Sequence, residues 1–147
     1  MPRERSLRER ALGFLARREH TRAELRRKLA PQAGSPGELD ALLDDLVRRK
    51  LLSEERFAEA RAHVLSRKFG AARIERDLRA RGVSVEQAAS AAGESRATEF
   101  ERARRVWQRK FGTPATDLKG RARQARFLLS RGFSTDVVKR ILRYEDD

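Results

Sequence analysis

The feature that most constrains this chain is a match of the sequence to itself. Leu78-x-x-x-Gly82-Val83-Ser84 returns 50 residues later as Leu128-x-x-x-Gly132-Phe133-Ser134. Leu25 and Leu29 stand 49 residues before Ile74 and Leu78. Glu38, Glu86 and Asp136 match as acidic groups in the first turn of the helix that follows each stretch. A period near 49 residues describes stacked supersecondary units, each unable to bury its apolar face alone. A chain of 147 residues has room for three of them.

Each unit reads as three helices. In the first, Leu7, Ala11, Leu12 and Leu15, broadened by Phe14, recur at spacings of three and four, and that helix runs out near Arg18. Thr21-Arg22-Ala23-Glu24 is a capping box. It opens a helix with Ala23, Leu25 and Leu29 inward and Arg22, Arg26, Arg27 and Lys28 outward, stopped by Pro31. After a loop at 33–37, Leu39, Leu42, Leu43, Leu46 and Val47 give the clearest amphipathic stripe in the chain.

The middle unit occupies the stretch around which the others are arranged, residues 51–83. Ser53 caps a helix that buries Phe57, Ala60, Val64 and Leu65, and Gly70 breaks it. Ala72, Ile74 and Leu78 line the next helix, which ends at Gly82. Ser84-Val85-Glu86-Gln87 then opens a short alanine-rich helix (Ala88, Ala89, Ala91, Ala92) that Gly93-Glu94-Ser95 ends. In the last unit, Phe100, Ala103, Val106 and Trp107 line a helix from about Ala97. Leu118, Ala122, Ala125, Leu128 and Leu129 line one from Asp117 to Arg131. Ser134 caps a final helix burying Val137, Val138, Ile141 and Leu142. No segment sustains strand alternation.

The expected fold is therefore all-α: three tandem three-helix repeats in an elongated, curved array. The expected units are 7–52, 53–94 and 95–143, with a flexible arm at 1–6 and a tail at 144–147.

Charge points to the partner. Basic residues outnumber acidic ones 35 to 22, a net charge of +13. Such an excess favours a polyanion. It is uneven: the first unit, with the arm, carries 13 basic and 8 acidic residues, the middle one 8 and 7, and the last one, with the tail, 14 and 7. The candidate contacts are Arg22, Arg26, Arg27 and Lys28 in the first unit and Arg67, Lys68, Arg73 and Arg76 in the middle one. In the last they are Lys119, Arg121, Arg123, Arg126, Arg131, Lys139 and Arg140. Rows such as Arg22 and Arg26, or Lys119 and Arg123, lie four apart on one helix face and can follow a phosphate backbone.

The catalytic inventory is thin. Cysteine is absent, which excludes disulfides and thiolate metal sites. His20 and His63 are unpaired by spacing and read as surface or helix-end residues, Asp44-Asp45 as a solvated face, and Trp107 as core. No phosphate-cradling or nucleophile-elbow motif occurs. The expectation is a protein that is not an enzyme and needs no cofactor or metal. With no secretory signal and no apolar stretch long enough to span a bilayer, it is expected in the cytoplasm, off the membrane and as a monomer.

The run LLSEERFAEARAHVLSRKFGAARIERDLRARGVS, residues 51–84, resembles the RecX family of bacterial regulatory proteins. The matching positions are Leu52, Ser53, Phe57-Ala58, Gly70, Ile74, Leu78 and Arg81-Gly82-Val83. ALGFLARREHTRAELRRKL near the start and LLSRGFSTDVVKRIL near the end also look like family signatures, so the likeness spans roughly residues 11–143. Gly70-Ala71-Ala72-Arg73 departs from the family's usual proline-bearing corner.

The resemblance implies a curved body of three-helix repeats. It implies binding to RecA protein and to the groove of the RecA–DNA filament, inhibition of ATP hydrolysis and strand exchange, contact with single- or double-stranded DNA, and no catalysis. It fixes no contact residue. Two other readings of the residues stay open: a helix-turn-helix regulator and a non-specific single-strand binder. The acidic openings Glu38-Leu39-Asp40 and Val85-Glu86-Gln87 speak against the former, and the small number of aromatics against the latter.

Overall fold

The computed structural model describes residues 4–144 and contains, among them, nine α-helices and no strand. They are α1 (Leu7–Arg17), α2 (Arg22–Leu29), α3 (Pro36–Arg48), α4 (Glu54–Leu65), α5 (Ala71–Ala80), α6 (Val85–Arg96), α7 (Glu99–Lys110), α8 (Leu118–Ser130) and α9 (Thr135–Tyr144). Residues 1–3 of the expected arm and 145–147 of the expected tail lie outside the described residues. Ser6 caps α1, accepting from the Glu9 amide, and Tyr144 belongs to α9.

The core is three cores. Leu25, Leu29, Leu39, Leu43 and Leu46 close around Ala11 between α1, α2 and α3. Phe57, Ile74, Leu78 and Val83 close with the alanines of α4 and α6. Trp107, Leu128, Phe133, Val138 and Ile141 close between α7, α8 and α9. The accessible surface of 9785 Å² exceeds the roughly 7,700 Å² expected of a compact protein of this mass, as three thin cores in series require.

Ser, Thr or Asp side chains accept the N3 amide at the starts of α1, α2, α3, α4, α6 and α8. The turns after α5 and α8 are Schellman motifs: Val83 N–H donates to Leu78 O and Phe133 N–H to Leu128 O. Their left-handed residues are Gly82 (φ 98°) and Gly132 (φ 88°). The same turn after α3 uses Lys50 (φ 61°).

These turns also join the units. The Thr21 hydroxyl, at the start of α2, donates to Arg81 O at 2.7 Å. The Gly70 amide, at the start of α5, donates to Arg131 O at 2.8 Å. Both acceptors occupy the same place in the Arg-Gly turn of the following unit. A Cβ on Gly70 would overlap the Gly132 carbonyl. That close approach explains why the residue at this corner is a glycine.

Several inward assignments are displaced. Ala23, Val47, Ala60, Val64, Ala72, Ala89, Ala122 and Leu129 are exposed. In α4 the buried positions are Phe57, Ala58 and Ala62, because its small residues meet the alanine face of α6. In α5 the buried alanine is Ala71. Leu118, the first residue of α8, is 88 % exposed. Gln124 instead takes the core position that Ile74 holds in the middle unit. It accepts from Trp107 Nε1 at 3.1 Å and donates to Thr113 O at 3.0 Å, so neither end of its amide is stranded. α3 begins at Pro36, inside the expected loop, and α6 runs through Gly93 to Arg96. His20 sits at a helix end but is buried, not on the surface.

Candidate nucleic-acid interface

The basic residues separate into those that are neutralised and those that are not. In the first unit α2 and α3 lie side by side, and their charges meet. Arg22 pairs with Asp44 at 2.7 Å and Arg26 with Asp40. Asp45, expected on a solvated face, is buried and gathers Arg48, Arg8 and Arg49. Hydrogen bonds from Arg48 and Arg8, with Arg49 adding its charge, hold its carboxyl well below the usual carboxylate range. Arg18 pairs with Glu24. Lys28 donates to His20 Nε2 at 2.8 Å and lies over the Phe14 ring. Arg27 is exposed. The middle unit does the same around Asp77, which takes Arg61 and Arg81. Burial alone would raise the Asp77 pKa, but these two guanidinium groups outweigh it and draw it down.

The junction of the middle and last units is different. Ser66, Arg67 and Lys68 follow α4; Arg102, Arg105, Val106, Arg109 and Lys110 lie along α7; Phe127 and Arg131 belong to α8 and its end. Together they line a cleft of about 510 Å³. On α7 the lining residues follow the spacing i, i+3, i+4, i+7, i+8, so one whole helical face looks into the cleft. Ala103 and Trp107, on the opposite side, anchor α7 in the core. Among the described residues, Arg67, Lys68, Arg105, Arg109, Lys110 and Arg131 carry no ion pair, and the cleft is lined by no carboxylate.

Arg102 ties the cleft together. It donates to Ser66 O and Phe69 O of the middle unit, and to Ser95 O and Thr98 Oγ1. Nearby, Glu99 is buried and accepts the Ala71 amide at 2.7 Å, replacing the side-chain cap that Gly70 cannot supply. Arg73 stacks on Phe69 at 4.3 Å and donates to Ser130 O. Arg131 lies over both Phe69 and Phe127.

Of the residues singled out in sequence, the cleft brings together Arg67, Lys68 and Arg131. Arg73 is spent on the joint. Arg76, Lys119, Arg123, Arg126 and Lys139 are exposed along α5, α8 and α9 without converging on the cleft, Arg121 is half-buried, and Arg140 stacks on Phe100. Arg102, Arg105, Arg109 and Lys110 were missed. Their helical spacing beside an apolar stripe was the signal that would have found them. No helix among the described residues is long and apolar enough to cross a membrane.

Comparison with known proteins agrees along the whole chain. The RecX first three-helix domain matches residues 8–46, the second 53–91 and the third 97–142. The chain is 52 % identical to the regulatory protein RecX of Leptothrix cholodnii, covering 96 % of this chain and 90 % of that one. It is 46 % identical to that of Ralstonia nicotianae, over 96 % and 89 %. The fold matches the crystal structure of RecX from Lactobacillus salivarius with a TM-score of 0.84 at 18 % identity, covering 95 % and 94 % of the two chains.

Proposed function

Because the chain belongs to the RecX family, we propose that it regulates RecA by binding the recombinase and its filament on DNA. In this reading it restrains ATP hydrolysis and strand exchange, and catalyses no reaction itself. It acts as a monomer in the cytoplasm, with units at 7–52, 53–94 and 95–143. The observation that carries the reading is the set of cations in the cleft, Arg67, Lys68, Arg105, Arg109, Lys110 and Arg131, that have no ion pair among the described residues. Such a surface lies against phosphate while the neutralised faces of the first two units lie against protein. The test is a titration of the protein into RecA on single-stranded DNA. ATPase rate and strand exchange both fall; if neither changes across a broad titration, the reading fails. Recovery of one palindromic duplex from a random pool, with no effect on RecA, would favour a helix-turn-helix regulator instead.

A further inference from the structure

The cleft between the middle and last units is built more closely than a basic surface needs to be. At its floor Arg102 directs its hydrogen bonds to neutral oxygens: Ser66 O, Phe69 O, Ser95 O and Thr98 Oγ1. It is half-buried, and burial draws its pKa below the usual guanidinium range. An arginine nevertheless stays charged at neutral pH. A partly desolvated positive charge therefore stands there; buried Glu99, one turn away and engaged with the Ala71 amide, attracts it without forming an ion pair. Arg67 and Lys68 rise on one side and Arg105, Arg109 and Lys110 on the other, with Arg131 at the end. Seven cations around about 510 Å³ repel one another. An anion entering the cleft relieves that repulsion.

The lining is not uniformly charged. Val106 and Phe127, both half-buried against the third core, add apolar surface between the basic walls, with Lys110 and Arg131 lying over the Phe127 ring. Guanidinium forks match phosphate oxygens bidentately, and an aromatic ring beside an aliphatic side chain suits a sugar and base. An acidic peptide would use the cations and leave the apolar surface unmatched. A nucleotide uses both.

We propose that this cleft is a nucleotide-phosphate site: phosphate oxygens bind Arg105, Arg109 and Lys110 with Arg67 opposite, and sugar and base lie along Val106 and Phe127, the phosphate drawing Lys110 and Arg131 from over the ring. It deepens the regulatory reading, on which it rests only for the presence of a nucleic-acid partner. The same chemistry is offered by one residue of a single strand or by a free nucleoside triphosphate.

The test uses the full chain, labelled (dT)6 by fluorescence anisotropy and ATP by calorimetry, at low salt. Three proteins are compared: wild type, Arg105→Ala/Arg109→Ala, and Arg22→Ala/Arg26→Ala. Both pairs replace arginine on helix surfaces with a better helix former, so folding is not at stake. The α7 pair weakens at least one ligand tenfold or more, and flattens the salt dependence by roughly 0.7 in log–log slope for each phosphate no longer neutralised. The α2 pair stays within twofold. Loss for (dT)6 makes a strand the source of the phosphate; loss for ATP makes it the free nucleotide.

Equal affinity of wild type and the α7 pair for both ligands overturns the proposal. So does a polyglutamate peptide that binds wild type as tightly as (dT)6 and is lost with the same variant. The two readings fail separately. If (dT)6 binds through the cleft while RecA is unaffected, the regulatory reading falls and this site stands. If the α7 pair loses nothing but wild type still inhibits RecA, the reverse holds.

Discussion

The first and last units have the same three-helix plan and an excess of positive charge, yet they present it differently. In the first, Arg22 and Arg26 reach across from α2 to Asp44 and Asp40 of α3, and Asp45 collects Arg8, Arg48 and Arg49. In the last, α7 turns Arg105, Arg109 and Lys110 into a cleft that no acid among the described residues lines. Counting charges with the arm and tail included, over 1–52 and 95–147, ranks the two as near equals at +5 and +7. Pairing them does not: surface ion pairs add little stability, but they decide which cations remain to meet a polyanion.

The largest expected effect comes from reversing the free charges. Arg105→Glu/Arg109→Glu lowers affinity for single-stranded DNA by about a hundredfold, since a charge-assisted bond is worth roughly 1.5–3 kcal/mol. Arg22→Glu/Arg26→Glu lowers it by less than a tenth as much, because those arginines are already engaged. Equal losses in a filter-binding titration would erase the distinction between the units.

A gain is expected from the opposite manipulation. Asp40→Asn/Asp44→Asn releases Arg22 and Arg26 and makes the first unit resemble the last. Affinity for DNA rises about three- to tenfold at low salt, and the gain disappears at high salt as screening takes over. A flat response would mean that pairing is not what silences α2.

The next effect concerns acid. His20 donates its Nδ1 hydrogen to Arg18 O and accepts from Lys28 at Nε2, so it is neutral when folded. Burial lowers its pKa from 6.5, with Arg18 and Lys28 adding to the lowering. Its contribution is present above 6.5 and is lost as pH falls through the depressed value, because the unfolded chain takes up the proton first. As pH falls from 7.5 to 5.5, the protection factors of the α2 amides, exchange rates divided into the intrinsic base-catalysed rate at each pH, decrease, and His20→Gln flattens that dependence. Protection in α2 that ignores pH in the wild type would contradict the neutral tautomer.

The smallest effect is a backbone one. Lys50 holds φ at 61°, a conformation that costs a non-glycine residue about 1 kcal/mol. Lys50→Gly raises stability by that order in thermal melts and leaves DNA affinity unchanged. A loss of affinity would show that the first unit does contribute a contact beyond its paired face.

Much of the fold was legible because it is local. Capping residues, helix periodicity and the Leu-x-x-x-Gly-x-Ser match are read within a few residues of one another. What failed was long-range. Val64 and Ala60 lie at suitable spacings for a core face, but the alanines of α6 select Ala58 and Ala62 instead. Gln124 is polar in sequence and buried in fact, because Trp107 and Thr113 meet both ends of its amide. The site divides the same way. Arg67, Lys68 and Arg131 were singled out, and their convergence required the joint. Arg22 and Arg26 were singled out too, and only the placement of α2 on α3 discloses their partners.

The two joints differ in a way that bears on how the sequence can drift. Arg81 O receives a side-chain hydroxyl from Thr21, whereas Arg131 O receives the main-chain amide of Gly70. Many substitutions at position 21 delete the first bond outright, so the hinge between the first two units is open to loosening or retuning one nucleotide change at a time. Position 70 offers no such gradation: the donor is the backbone itself, and any Cβ there would strike the Gly132 carbonyl. The cleft therefore sits on the junction that drift either leaves alone or breaks, and its geometry has no intermediate settings for mutation to explore.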